Sequence, residues 1–355
     1  MNFETILGSV DFLEFLRGKR ATFLLSTSVT KTCEIPNISQ AGIPGLLSLT
    51  PTLDAEFLCT KEVRSLQDIA KTPKGVPTPA LITRAIHELN PFSNIEILDL
   101  GMQVIPKINY FKVHNFDIKI SENITNGANI NAFEIFQKGL EFGQNYQTND
   151  DYVIIAESIP AGTTTANATV KALGYECEGY FSSSFKNSPN DIKNETINKA
   201  LENLDKNDDI FQILSKVSDN MIIFSAGFIL GSRANDIKII LAGGTQMASV
   251  LLVINSILRS MEGEIDSSNI ALCTTKWINK DKNSNIKALL EQLDFSINAY
   301  ASDFDFAESL HPALKLYDEG EAKEGVGCGG ALCYGTINGL SKEEITKKIE
   351  SFLGV

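Results

Sequence analysis

Residues 152–173 read YVIIAESIPAGTTTANATVKAL. Val153, Ile154 and Ile155 form a short apolar run that fits a buried parallel strand; Glu157 ends it, Pro160 and Gly162 turn the chain, and Thr163 to Leu173 carries a helical pattern. The first N–H groups of such a helix have no backbone partners, and an anion lying against them satisfies them. Gly162 lets backbone and ligand approach, and the hydroxyls of Thr163, Thr164 and Thr165 can donate to phosphate oxygens. No lysine follows the glycine, so the loop is not of the nucleoside-triphosphate kind G-x-x-x-x-G-K-[ST], and a ligand with one terminal phosphate fits better. Taken alone, the same residues also fit a turn and a threonine cap with no ligand.

The plan recurs. Lys238 to Leu258 runs from an apolar strand through Gly243-Gly244-Thr245 into a helix, and Ile270 to Thr275 is followed by a polar loop and a helix from about Asn285 to Leu293. Successive strand–loop–helix units imply an α/β fold: a doubly wound, mostly parallel sheet with helices on both faces, Rossmann-like in its three layers. Ligands of such sheets bind beyond the carboxyl ends of the strands, where both Gly/Thr loops lie. Around this centre, residues 5–16 carry helical spacing, Ala21 to Ser26 and Ile95 to Leu98 read as strands, and Ala80 to Leu89 as a helix behind Pro79. Thr32 to Pro79, rich in Gly, Pro and Thr, favours turns and extended backbone over long helices. Glu195 to Asp219 reads as two charged helices, and a Ser341/Glu344 capping box opens the last helix.

Composition narrows the partners. At 355 residues and 43% hydrophobic content the chain can bury a large core, and its length suggests about two domains. A net charge of -13 without a Lys/Arg cluster argues against a sequence-independent grip on nucleic acid or an anionic membrane. The N-terminal residues lack the basic start and apolar run of a signal peptide, so a cytoplasmic protein is expected. The six cysteines, at 33, 59, 177, 273, 328 and 333, form no C-x-x-C pair, and neither a metal nor a cofactor is expected.

Near the C-terminus, Lys323-Glu324-Gly325-Val326-Gly327-Cys328-Gly329-Gly330 sets a carboxylate ahead of four glycines. A carboxylate with so little bulk around it can act as a general base where burial lifts its pKa toward neutrality. The alternative is that the glycines only allow two elements to pack closely.

The ESIPAGTTT segment at 157–165, Gly243-Gly244-Thr245-Gln246-Met247-Ala248 and Glu324-Gly325-Val326-Gly327 together resemble, in their order, the nicotinate-nucleotide:dimethylbenzimidazole phosphoribosyltransferases. Residues 45–56, GLLSLTPTLDAE, and Leu98-Asp99-Leu100-Gly101 resemble a divergent archaeal and cyanobacterial branch of that family. The resemblance implies transfer of ribose 5-phosphate from nicotinate mononucleotide to a benzimidazole-type base, giving the α-riboside phosphate used as a cobamide lower ligand. It implies Glu324 as the catalytic base and Glu157 as a second catalytic glutamate. Gly162, Thr163, Thr164 and Thr165 would hold the 5′-phosphate, while Gly243, Gly244, Thr245, Gly325 and Gly327 would touch the nucleotide. It further implies a homodimer, and a body of residues 80–310 with a smaller domain from 1–79 and 311–355. ESIPAGTTT departs from the EMGIGNTT form of the better-studied branch, and no segment here matches that branch's acceptor pocket. Two rival readings are a transferase using the pyrophosphate donor and a non-catalytic protein that binds a nucleotide or cobamide precursor. Ser158 after Glu157 departs from the paired acids of the first, and Glu324 is a group the second does not need.

Overall fold

The computed structural model describes residues 2–354. Eight strands build one sheet: β1 (Phe3–Leu7), β2 (Ala21–Thr27), β3 (Asn94–Asp99), β4 (Lys112–Asn115), β5 (Tyr152–Ser158), β6 (Lys238–Ala242), β7 (Ile270–Thr275) and β8 (Asn298–Ser302). Their order is β1-β8-β7-β6-β5-β2-β3-β4, parallel throughout except for β1, which runs antiparallel to β8 along one edge. The winding reverses between β2 and β5, and a crevice opens beyond the carboxyl ends of strands at such a switch point. Glu157 and Ser158 close β5 there, opposite Ser26 and Thr27 of β2.

Both faces of the sheet are covered, as unbroken apolar strands require. Tyr152, Ile154 and Ala156 point toward one layer with Ile82, Ile86, Leu332 and Ile345 from three helices. Val153 and Ile155 point the other way, onto Phe136, Val170, Phe224 and Leu251 of four others. Each such aliphatic side chain contributes about 1.5–3 kcal/mol on burial, so the alternation along β5 fixes its register as well as its stability. The doubly wound α/β architecture expected from the repeated units is the one observed. β1 and β2, from residues 1–79, lie in the same sheet as the strands from 80–310.

Three local expectations are corrected. Residues 5–7 belong to β1, because pairing of Phe3, Glu4 and Thr5 with Ser302, Ala301 and Tyr300 outweighs their helical spacing, and the helix behind them is only Asp11–Phe15. The Pro/Thr-rich region contains a full helix, Thr50–Thr60, with Pro51 in its first turn, where a missing N–H is harmless. The helix expected over 285–293 is confined to Ile286–Leu290. The Ser341/Glu344 capping box forms as read. No helix among the described residues is long and apolar enough to cross a membrane.

Candidate active site

A cleft of about 860 Å³, open on one side, lies at the switch point. Its walls include Glu157, Gly162 and Thr163 from the first loop, Gly244, Thr245 and Gln246 from the second, and Glu324 and Gly325 from the C-terminal run. Three segments far apart in sequence therefore meet in one cavity. Four other residues of the expected set do not line it: Thr164, Thr165, Gly243 and Gly327. The Thr165 hydroxyl donates to the Gly162 carbonyl at 3.0 Å and to Asp219, tying the loop to the N-terminus of helix Asn220–Ser232, and among the described residues the buried Thr164 hydroxyl has no partner. Gly327 has a φ of +63°, and a Cβ there would come within 2.5 Å of Ala156 Cβ, so it lets the chain turn tightly against the sheet.

The phosphate loop is shaped differently from the simple reading. Ala161, not Gly162, takes the left-handed conformation, with φ +63°, at the start of helix Gly162–Ala172. Val326 beside Glu324 is likewise left-handed at φ +53°. Non-glycine residues held there store strain of about 1–3 kcal/mol each, and such strain gathers at ligand sites. Gly162 is needed for close approach instead: a Cβ would stand 2.1 Å from the Gln246 amide nitrogen. The helix has no side-chain cap; the Ile159 and Ala161 carbonyls take the Gly162, Thr164 and Thr165 N–H groups, which leaves the Thr163 N–H and the partial positive charge of the helix end for a ligand.

Lys193, absent from the expected set, does not line the cleft itself but stands directly behind Thr163. It is 6% exposed, its Nζ donates to the Thr163 hydroxyl at 3.0 Å and the Ser182 carbonyl at 3.4 Å, and among the described residues it has no carboxylate partner. Burial, helped by the neighbouring Lys323 charge, pulls its pKa from 10.5 down to about 7. Lys323 is itself buried but paired, with Asp281 at 3.0 Å. The sequence does carry a signal for Lys193: on helix Asn190–Leu201 it shares the buried stripe with Thr196, Ile197 and Ala200. Lys276 pairs with Asp305, and Arg233 is exposed outside the cleft.

The two glutamates differ in surroundings. Glu324 Oε1 accepts from the Gly329 N–H and the Cys328 thiol at 3.0 Å and from its neighbour Gly325 N–H at 3.3 Å; Oε2 accepts from the Thr274 hydroxyl and the Thr275 N–H at 3.2 Å. Burial raises its pKa, and those donors hold the rise back. Glu157 has one long hydrogen bond, from Gln246 at 3.3 Å. Burial first, then the charges of Glu324, Asp54 and Asp219, push it from 4.5 to about 8. Near neutral pH Glu157 thus keeps its proton, while Glu324 sits among donors that favour its charged form.

Asp54 adds a buried third acid, accepting from Thr78 at 2.6 Å and Ser158 at 2.7 Å, with its pKa lifted to about 6 by burial. The walls of the cleft also include Ala41, Gly42, Ala70, Val76, Pro77 and Ile278, apolar groups drawn largely from the Pro/Thr-rich region.

No protein-family model matches the chain. A UPF0284 protein of Saccharolobus solfataricus is 35% identical over 341 residues, 95% of this chain and 93% of the relative; one from Aeropyrum pernix is 34% identical over 351 residues, covering 96% and 94%. The chain belongs to the UPF0284 family. Among solved structures, this UPF0284 fold is similar to nicotinate-nucleotide-dimethylbenzimidazole phosphoribosyltransferase from Thermus thermophilus, with a TM-score of 0.62 and 12% identity over 97% of this chain and 92% of the other. A structure of CobT from the same organism gives a TM-score of 0.59 and 11% identity over 95% and 86%. The fold expected from the resemblance is therefore shared.

Proposed function

We propose that this protein is a phosphoribosyltransferase that moves ribose 5-phosphate from nicotinate mononucleotide to a benzimidazole-type base. The observation that carries the reading is what one cleft brings together: the Gly162-Thr163 loop, the Glu157 and Glu324 carboxyl groups and a set of apolar walls. Thr163, the uncapped helix N-terminus and Lys193 hold the 5′-phosphate; the global charge of -13 makes such a local cradle necessary. Thr164 and Thr165 support that loop from behind, and Gly244, on the cleft wall beside Glu324, leaves room for the ribose.

The donor's glycosidic nitrogen belongs to a cationic pyridinium. When the C1′–N bond breaks, its electron pair stays on that nitrogen, and nicotinate departs with a neutral ring. The acceptor nitrogen forms the new bond to C1′, and the proton on its other nitrogen passes to Glu324. The rotatable Thr274 hydroxyl and Cys328 thiol can swing away to free a lone pair for it. Glu157, carrying its proton, donates a hydrogen bond to the ribose and adds no second negative charge beside the base. The protein works as a cytoplasmic homodimer, with residues from 1–79, beyond the strands they add to the sheet, and from 311–355 supplying walls of the site beside the 80–310 body. Calorimetric titration tests the cradle: nicotinate mononucleotide binds and nicotinate riboside, which lacks the phosphate, does not. Equal affinity for the two contradicts the reading.

A further inference from the structure

The amide of Gln246 sits between two features of the site without a role so far. Gln246 lies in the first turn of helix Thr245–Ser260, is 8% exposed and lines the cleft. Its Nε2 donates to Glu157 Oε2 at 3.3 Å, the only hydrogen bond to that carboxyl among the described residues. The same nitrogen occupies the space that a side chain at Gly162 would fill, 2.1 Å from the position of a Cβ, with Gln246 Cδ at 2.9 Å. One amide therefore bridges the end of β5, the phosphate loop and the second Gly/Thr loop.

Little else restrains Glu157. Gly243, near its Cγ, presents no side chain, and a carboxyl turns easily about its terminal bond. The charges facing it, from Glu324, Asp54 and Asp219, repel it and give no direction. We propose that Gln246 is a positioning residue, whose amide fixes the Glu157 carboxyl beside the phosphate loop and so sets where the ribose lies relative to Glu324. The proposal rests on the transferase reading above for its kinetic consequence only.

Gln246→Ala lowers kcat about 3- to 10-fold, the rate equivalent of losing one hydrogen bond between neutral groups, with the KM for mononucleotide changed less than about twofold. Gly162→Ala, whose backbone φ is ordinary, expels the amide by contact and gives the same kcat defect. In Gly162→Ala/Gln246→Ala the amide is gone and the new methyl meets only Ile159 Cβ, at 3.2 Å, which a shift of a few tenths of an ångström relieves, so the double variant is about as fast as Gln246→Ala alone. Unchanged kcat in Gln246→Ala, or defects that multiply in the double variant, overturns the proposal.

A second measurement needs no turnover. Isotope-edited infrared titration of the Glu157 carboxyl, assigned with Glu157→Gln, shows its midpoint moving to higher pH in Gln246→Ala, because the donor to its ionised form is gone. An unmoved midpoint overturns the proposal whatever the substrate. A wild-type protein that ribosylates no base overturns the transferase reading instead, and the titration still decides whether Gln246 holds Glu157.

Discussion

Replacing Lys193 with methionine separates binding from folding. The native lysine gives up its proton at about 7 and the unfolded one at 10.5, a difference of 3.5. At about 1.36 kcal/mol per unit, burying this cation opposes folding by about 5 kcal/mol below neutrality. Between the two pKa values the unfolded chain binds more protons, so this group makes stability rise with pH across that window. Methionine keeps the unbranched side chain but for its last atom, removes the penalty, and forfeits the bonds to Thr163 and Ser182, worth about 1 kcal/mol each. The variant is therefore more stable than wild type by about 2–3 kcal/mol at about pH 6, and its advantage shrinks toward about pH 9. It also binds nicotinate mononucleotide about 30- to 100-fold more weakly, the loss expected for one charge-assisted hydrogen bond to phosphate. Urea denaturation at the two pH values and calorimetry measure both sides. A variant that is less stable and binds as tightly as wild type refutes the reasoning, because Lys193 is then a structural residue.

Three further outcomes are expected. Glu324→Gln lowers kcat by about 10²-fold or more while the affinity for mononucleotide changes little, as single-turnover and binding measurements show; full activity excludes it as the base. Native Glu157 keeps its proton to about 8 and the unfolded residue loses it near 4.5, so its contribution to stability falls as pH rises through that interval. Glu157→Gln, neutral throughout, flattens this slope in denaturation series and is the more stable protein at about pH 8 by roughly 2–5 kcal/mol. Transfer from nicotinate mononucleotide continues in the presence of a chelator, since its leaving group departs neutral; a rate that collapses without magnesium favours the pyrophosphate donor.

The fold is legible where local and global preferences agree. Val153 to Ile155, the turn at Pro160 to Gly162 and the helix behind it read the same way from the sequence and in the sheet. β1 is hidden because an edge strand of five residues is defined by its distant partner β8 rather than by its own periodicity. Helix Thr50–Thr60 is hidden because ten of its residues are buried all round, leaving no amphipathic stripe to read. In the site, Glu157, Gly162, Thr163, Gly244, Thr245, Glu324 and Gly325 stand out by their motifs and meet in one cleft. Lys193 reads as one charge among many on a polar helix, and Gln246 escapes notice because what it touches, Gly162 and Glu157, lies more than eighty positions away.

The most direct measurement is product analysis: purified protein incubated with nicotinate mononucleotide and dimethylbenzimidazole, resolved by chromatography and NMR. The account predicts nicotinate and an α-riboside 5′-phosphate in equal amounts, with formation lost in Glu324→Gln. Intact mononucleotide after incubation with dimethylbenzimidazole, adenine and a phenol in turn contradicts it.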